Sequence, residues 1–224
     1  MIPLRDDNPS QRFPIVTLLL IGANAAVFLY EVSLGPRFLE GFVMTYGAIP
    51  ASFGHGGRVP FPFPWITLFT SMFLHGGIMH LVGNMLYLWI FGDNIEDAMG
   101  PARFLLFYLL CGVVATGVQI ALRSESTIPM VGASGAIAGV LGAYVLLFPG
   151  ARIQTLLFVF IFVRIVPMPA LIVLGLWFLM QVLSAPASGT AGAGVAFFAH
   201  IGGFLTGMLL VGLFVKRRPP RSEF

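Results

Sequence analysis

The chain has 224 residues, of which 58% are apolar and only 9% are charged, which excludes an ordinary soluble domain and indicates a polytopic membrane protein. A bilayer core of about 30 Å takes about 20 apolar residues per helix, so the length predicts about six spans and no separate soluble domain. The isoelectric point of about 9.4 does not indicate nucleic-acid binding, because the basic residues cluster just outside the apolar stretches.

The apolar stretches predict an all-α membrane protein, a bundle of six transmembrane helices. Residues 1–14 are predicted as a polar N-terminal tail, residues 15–215 as the six-span domain, and residues 216–224 as a basic C-terminal tail. The predicted spans, in chain order, are residues 15–34, 68–91, 104–122, 134–148, 170–183 and 192–215.

Two connections between the predicted spans are themselves apolar. The first loop, residues 35–64, is rich in proline and glycine but also carries Phe38, Phe42, Phe61 and Phe63. We therefore predict a structured loop that lies in the headgroup interface. The second connection, residues 153–167, is predicted as a re-entrant or interfacial piece.

The distribution of basic residues predicts the orientation. With six spans, both termini lie on one side of the membrane, and most lysines and arginines fall on that side. The positive-inside rule therefore places both termini in the cytoplasm and the N-terminal ends of spans two, four and six outside. We expect a bacterial plasma membrane. The cytoplasmic group is Arg5, Arg12, Arg103, Arg152, Lys216, Arg217, Arg218 and Arg221, whereas Arg37, Arg58 and Arg123 lie opposite.

Ser134 and His200 are polar residues inside two apolar stretches that are long enough to cross a membrane. Polar groups at membrane depth are costly and usually face a bundle interior or a water-filled cavity. Ser134 starts a stripe of small residues at intervals of four, and His200 shares a helix face with Gly203 and Gly207. Such stripes let membrane helices approach closely. If they face each other, Ser134 contacts His200, which favours peptide hydrolysis within the bilayer.

The second span strengthens this hypothesis. His80 and Asn84 lie four residues apart on one helix face, and imidazole and amide groups are suitable donors to a developing oxyanion. The alternative is that the glycines, Ser134 and His200 serve packing alone.

Other intramembrane chemistries fit the sequence poorly. All nine acidic residues lie in loops, tails or span ends, so catalysis would use a Ser–His dyad, and an aspartyl protease or carboxylate relay is disfavoured. His75 and His80 are five residues apart, not the four of a zinc-protease helix. Cys111 is the only cysteine, which excludes disulfides and cysteine-based metal sites. We expect no metal and no cofactor.

Four motifs in this order resemble those of the rhomboid intramembrane serine proteases. The resemblance covers nearly everything from the first span to beyond His200. The motifs are His75-xxxx-His80-xxx-Asn84, Gly92-xxx-Glu96, Gly132-Ala133-Ser134-Gly135 and His200-xx-Gly203-xxx-Gly207.

The resemblance implies a role for each matched residue. It implies Ser134 as nucleophile and His200 as general base, with His80, Asn84 and the Ser134 backbone N–H as the oxyanion hole. It also implies transmembrane protein substrates, a first loop in the membrane interface, and a fifth helix that acts as a lateral gate near Trp177 and Phe178. Glu96 is interpreted as structural, tying the cytoplasmic end of span two to neighbouring backbone; alternatively it is an exposed helix-end charge. One departure is Ala138, where the family often has an aromatic residue that stacks on the catalytic histidine.

Two other functions remain open. A catalytically inactive rhomboid-like protein would bind transmembrane clients without cutting them, but such proteins usually lack the Ser or the His, and both are present here. A small-solute transporter would favour internal repeats, broken helices or intramembrane acids, none of which is evident in the sequence.

Overall fold

The computed structural model of the protein describes residues 1–54, 64–159, 162–187 and 195–216. This part is mostly helical, with one small sheet. The helices are α1 (Ile15–Ser33), α2 (Gly35–Tyr46), α3 (Thr67–Thr70), α4 (Ile78–Met99), α5 (Pro101–Leu122), α6 (Ser134–Leu147), α7 (Ala170–Ser184) and α8 (Phe197–Phe214), and the strands are β1 (Ile2–Asp6), β2 (Arg152–Val159) and β3 (Phe162–Pro169).

Helix α6 forms the centre of the fold. Every residue from Gly135 to Val145 is buried, and α4, α5, α7 and α8 all contact this helix. A helix surrounded on all sides must be apolar all round, and its glycines and alanines let the neighbouring backbones come close. The N-terminal end of α6, where Ser134 lies, is therefore held by several helices at once.

The apolar helices are of two lengths. By length and composition, α1, α5 and α8 are candidate membrane spans, and α4 with the bent segment before it makes a fourth. Helices α6 and α7 are apolar but shorter. By this criterion, the described part contains three to four of the six predicted spans. The protein is a mostly helical membrane protein.

The second span differs from its prediction. A helix was expected over 68–91, but α4 begins only at Ile78, and the segment Pro64–Phe73 is bent from it by 82°. The break falls at Gly76 and Gly77, and Gly77 has φ of +155°, a backbone conformation that favours glycine. Consequently His75 lies in the break, outside α4.

The connection over 153–167, predicted as a re-entrant or interfacial piece, is formed by strands, so the described part is mostly helical and not all-α. Strands β2 and β3 form an antiparallel hairpin, and β1 pairs with β2 on the other side. Alternate residues Ile153 and Thr155 of β2 are buried, which is the period of a strand. Pro167 and Pro169 lie in β3, an edge strand, where the missing N–H of proline is tolerated.

The segment predicted as an N-terminal tail therefore contributes a strand. Asp6, the last residue of β1, accepts a hydrogen bond from the buried hydroxyl of Tyr144 on α6. Burial raises the pKa of the Asp6 carboxyl from its ordinary 3.8 to about 6, the Tyr144 bond opposes this, and the Asp93 charge adds to it. The N-terminal segment is thus hydrogen-bonded to the central helix through a carboxyl whose ionisation lowers the stability of the folded state.

Asp6→Asn tests this attachment through its pH dependence. A raised folded-state pKa means that the unfolded chain ionises first, so Asp6 should lower stability progressively as pH rises from about 4 to about 6 and by a constant amount above that. We expect the asparagine variant, which keeps an acceptor for Tyr144, to gain thermal stability relative to the unchanged protein over this window. Unfolding midpoints in detergent at a series of pH values measure this. A difference that is constant from pH 4 to 7 would contradict the assignment.

The predicted first loop and C-terminal tail are covered only in part. The loop contains helix α2, whose Phe38 is 72% exposed, in keeping with an interfacial segment. Phe61 and Phe63 lie outside the described residues, as does the predicted tail beyond Lys216.

Glu96 is buried near the end of α4 and binds the beginning of α1. Its carboxylate accepts hydrogen bonds from the backbone N–H groups of Val16 and Thr17 at 2.9 and 2.8 Å, and from the Thr17 hydroxyl at 2.9 Å. These are free donors in the first turn of α1, where the helix dipole also favours a negative charge. Gly92 allows the close approach, since a Cβ there would lie 3.1 Å from Thr17 Cγ2. The side chain is not an exposed helix-end charge.

Glu96→Gln should destabilise the protein by about 1–3 kcal/mol, because an amide leaves at least one of the three donors without an acceptor and directs its own N–H groups at them. Chemical or thermal unfolding in detergent measures the loss. The matched control is Glu125→Gln, which makes the same change on an exposed loop residue and should leave the midpoint unchanged. Equal midpoints for both variants would show that the Glu96 contacts contribute nothing.

Candidate active site

Ser134 and His200 are in direct contact. Ser134 is the first residue of α6 and His200 is the fourth of α8, so both lie where their helices begin. The Ser134 Oγ atom is 2.7 Å from Nε2 of His200. The sixth span was predicted from residue 192, whereas α8 begins at Phe197; His200 therefore lies in the first turn.

The small-residue stripes meet as the sequence predicted. A Cβ on Gly203 would lie 2.0 Å from the carbonyl oxygen of Gly135, and one on Gly207 would lie 1.9 Å from that of Gly139. Real Cβ atoms do not approach backbone so closely, so α6 and α8 touch through glycine backbone at two successive turns. This contact fixes the separation of the two helices beside Ser134 and His200.

The other ring nitrogen of His200 also has a partner. Its Nδ1 atom is 2.8 Å from Oε1 of Gln181 on α7. The Trp177 ring, one turn earlier on the same helix, lies beside the imidazole with centroids 5.8 Å apart and planes at 34°. Ala138 is too small to supply an aromatic contact, and Trp177 supplies one from α7.

Helix α4 brings His80 close to the segment before Ser134. The Nδ1 atom of His80 accepts a hydrogen bond from the backbone N–H of Gly76 at 3.3 Å. Neutral His80 therefore carries its proton on Nε2. The Nε2 atom lies beside Gly132, where a Cβ would meet it at 2.7 Å, and Gly132 has φ of +124°. Glycine is thus required at 132 both for space and for its backbone conformation.

Asn84 lies one turn further along α4 and is 8% exposed. Its side-chain nitrogen is buried and has no hydrogen-bond partner among the described residues. An unsatisfied buried donor costs about 1–3 kcal/mol, and such groups in native structures often mark a binding or catalytic role. The amide has free capacity to donate to a bound group.

His75 lies behind His80 and does not join the contact between Ser134 and His200. The His75 and His80 rings are 5.1 Å apart, and the backbone N–H of His75 donates to the buried carboxylate of Glu31 at 3.2 Å. Both ring nitrogens of His75 are buried without a partner in the described part of the chain. The structure brings together Ser134, His200, His80 and Asn84 around one cavity. His75 contacts His80 but does not line that cavity.

Ser134, His200, His80 and Asn84 line one cavity of about 670 Å³, which is the size of a typical ligand site. Its walls are mainly apolar and carry a few polar groups, Ser134 among them. The lining includes Met79, His80, Asn84, Gln119, Ser134, Ile137, Leu141, Trp177 and His200.

The two predicted gate residues are placed differently. Trp177 lines the cavity, whereas Phe178 stacks on Phe204 of α8 with ring centroids 4.6 Å apart. Both side chains lie at the α7–α8 contact, and the outward residues of α7, such as Leu179 and Leu183, are exposed.

Sequence reasoning missed two polar residues at this site, Gln181 and Gln119. Gln181 contacts His200, and the Oε1 atom of Gln119 accepts the backbone N–H of Ala199 at 3.2 Å, at the start of α8. The available signal was the one that identified Ser134: each glutamine is an isolated polar side chain in an apolar stretch. Within the described residues, no group of three or more His, Cys, Asp and Glu is arranged to hold a metal ion.

Comparison with known proteins agrees with the motifs. The Rhomboid domain family model matches residues 62–217. Rhomboid protein 1, mitochondrial, of Saccharomyces cerevisiae is 31% identical over 200 residues, which is 85% of this chain and 50% of that protein. Rhomboid protease GluP of Bacillus subtilis is 39% identical over 131 residues, 58% of this chain and 24% of that protein. Rhomboid-like protein 11, chloroplastic, of Arabidopsis thaliana is 29% identical over 204 residues, 87% of this chain and 66% of that protein.

The chain thus spans half of the yeast relative and about a quarter of the Bacillus subtilis one. The matched region contains α4 to α8 and with them Ser134, His200, His80 and Asn84. Since the family match extends over most of the sequence and the yeast relative aligns along nearly all of it, the chain belongs to the rhomboid family.

Proposed function

We propose that the protein is an intramembrane serine endopeptidase that cleaves transmembrane segments of other membrane proteins with a Ser134–His200 dyad. The observation that carries the proposal is the 2.7 Å contact between Ser134 Oγ and His200 Nε2, inside a cavity walled by apolar helices. A hydroxyl within hydrogen-bond reach of an imidazole is the arrangement of an activated nucleophile.

The proposed reaction has two halves. In the first, Ser134 Oγ bonds to the carbonyl carbon of the scissile peptide while His200 Nε2 takes the hydroxyl proton. The tetrahedral intermediate then loses the amine, which receives that proton from His200, and an acyl-enzyme remains. In the second half, His200 takes a proton from water, the resulting hydroxide bonds to the acyl carbon, and Ser134 Oγ leaves with the proton.

The oxyanion of each tetrahedral intermediate needs fixed donors. We assign this role to the Asn84 amide, to Nε2–H of His80 and to the Ser134 backbone N–H. The unpartnered Asn84 nitrogen and the protonation of His80 on Nε2, required by its contact with Gly76, support the first two. The third is one of the free N–H groups at the N-terminus of a helix, whose dipole favours negative charge. Donors that are in place before reaction stabilise charge without reorganisation.

The proposal includes a six-span topology with both termini in the cytoplasm. Helices α6 and α7 complete the six although they are short, since α6 is enclosed by the others. The ends of α6 and α8 that carry Ser134 and His200 then face the outer side, where water reaches the site. A bacterial plasma membrane is the proposed location, supported by the Bacillus subtilis relative. Relatives named mitochondrial and chloroplastic also match.

A substrate helix would enter between α7 and the rest of the bundle. Trp177 lines the cavity and Phe178 seals α7 against Phe204, so displacement of α7 would open a lateral path from lipid to Ser134. We also propose that the six-span domain extends from residue 15 to residue 215.

Cleavage in proteoliposomes tests the function. The purified protein is reconstituted with a set of single-pass reporter proteins, and products are located by mass spectrometry. We expect a cut within or at the edge of a reporter's transmembrane segment, lost in both Ser134→Ala and His200→Ala. Binding of reporters without cleavage by the unchanged protein would instead favour a catalytically inactive client-binding protein. Cleavage that persists in Ser134→Ala would overturn the proposed nucleophile.

A further inference from the structure

Among the described residues, Gln181 is the side chain that hydrogen-bonds the ring nitrogen of His200 that does not face Ser134. It lies on α7, is 7% exposed, and uses both ends of its amide. The Oε1 atom is 2.8 Å from His200 Nδ1, and the Nε2 atom donates to the backbone carbonyl of Trp177 at 3.1 Å.

The orientation of this amide follows from its second contact. A backbone carbonyl accepts hydrogen bonds and cannot donate them, so the end of the amide that faces the Trp177 carbonyl must be the nitrogen. The oxygen therefore faces His200. A flipped amide would place two oxygens against each other at Trp177 and leave a buried repulsion.

The protonation of His200 follows in turn. Oε1 of Gln181 has no proton to give, so Nδ1 of His200 must be the donor in that contact. In a neutral imidazole, a proton on Nδ1 leaves Nε2 with a free lone pair. That lone pair lies 2.7 Å from Ser134 Oγ and accepts the hydroxyl proton. The opposite tautomer would direct an N–H at Ser134 and could not act as a base.

We propose that Gln181 is a positioning residue that selects the base-competent tautomer of His200 and, with Trp177, fixes the plane of the ring. This inference rests on the proposed Ser–His mechanism. It assigns to a neutral amide on α7 the orienting task that a buried aspartate performs in Ser–His–Asp triads. Among the described residues, no acidic side chain is hydrogen-bonded to His200, and an amide orients the ring without adding a buried charge.

The tautomer itself is the first test. The purified protein carries ¹⁵N-labelled histidine, and the His200 signals are assigned by comparison with His200→Ala, since these 224 residues contain only four histidines. We expect neutral His200 to be protonated on Nδ1 in the unchanged protein and to become a mixture or the opposite tautomer in Gln181→Leu. Protonation on Nε2 in the unchanged protein would overturn the proposal.

The labelling rate of Ser134 by a fluorophosphonate probe is the second test. Loss of a partner that orients a functional histidine typically costs about 10- to 100-fold, and we expect Gln181→Leu to be slowed by that factor. Gln181→Glu, as a carboxylic acid, keeps an acceptor for Nδ1 and an O–H donor for the Trp177 carbonyl, and it should label within about threefold of the unchanged protein. Met180→Leu, a change on the exposed side of the same helix, is the control and should label normally.

The outcomes separate this inference from the proposed function. If Ser134 of the folded, unchanged protein does not react, the proposed function fails, whereas the NMR result still reports on Gln181. If Ser134 reacts and Gln181→Leu is labelled equally fast, the positioning role is wrong. It is also wrong if Gln181→Glu is labelled as slowly as Gln181→Leu although the unfolding midpoint of Gln181→Glu is unchanged.

Discussion

Gly207→Ala should force α6 and α8 apart and reduce the cleavage rate by about 100-fold or more. The added Cβ would lie 1.9 Å from the Gly139 carbonyl oxygen and 2.7 Å from its Cα, and backbone cannot move aside as a flexible side chain does. Overpacking typically costs about 1–3 kcal/mol, occasionally more, and we expect the upper end. Because a 1 Å displacement of reacting groups can cost about 100-fold in rate, activity should fall even in the fraction that remains folded.

Gly212→Ala is the matched control, since it lies on the same helix and a Cβ there meets nothing within 4 Å. This variant should retain activity and keep or slightly raise the unfolding midpoint, because alanine is the better helix former. Unfolding midpoints in detergent and cleavage rates in proteoliposomes are measured for both. If Gly207→Ala behaves like Gly212→Ala, the glycine contact does not hold the site together.

Asn84→Ala should lower kcat by about 100- to 1000-fold, the usual effect of removing one oxyanion donor. The side-chain nitrogen has no partner among the described residues of the resting protein, so its hydrogen bond would form only when charge develops on the substrate oxygen. An interaction of this kind changes kcat and leaves KM nearly constant. The stability of the fold should not fall, because no existing hydrogen bond of that nitrogen is removed.

The control for Asn84→Ala is Val82→Ala, which shortens a half-exposed side chain on the same helix and should leave kcat unchanged. Initial rates are measured over a range of reporter densities in the bilayer, so that kcat and KM are separated. An increase in KM at constant kcat would mean that Asn84 binds the substrate in its ground state and does not stabilise the oxyanion.

The helical part of the fold and the central contact could be predicted from sequence because their signals are local. Apolar length identified α1, α5 and α8, and the small-residue spacing around Ser134 and His200 predicted that their helices would touch at glycine, as the contact of Gly207 with Gly139 confirms. In both cases the local pattern of residues is itself the physical cause of the structure.

The sheet and the bend before α4 could not be predicted in this way. An apolar run of about eight residues has the same composition in a strand as in a buried helix, and the pairing of β2 with the distant residues of β1 leaves no local signal. The break at Gly77 interrupts a stretch whose hydropathy continues unchanged, so the helix was expected to start ten residues too early.

The surroundings of His200 were predicted only in part. Ala138 indicated that an expected aromatic contact was absent, but nothing in the sequence showed that Trp177 would take its place from α7. Gln181 was visible as a polar residue in an apolar helix, yet which neighbour it contacts depends on the rotation of α7 about its axis. Such information comes from tertiary packing, which a single sequence does not contain.

The location of a fluorophosphonate adduct tests the central claim most directly, because it reports an activated serine without any knowledge of the substrate. The purified protein is treated with the probe and the modified residue is mapped by mass spectrometry in the unchanged protein, His200→Ala and Ser134→Ala. We predict one adduct, on Ser134, that is lost in His200→Ala although that variant remains folded. An adduct on another serine, or equal labelling of Ser134 without His200, would contradict the dyad.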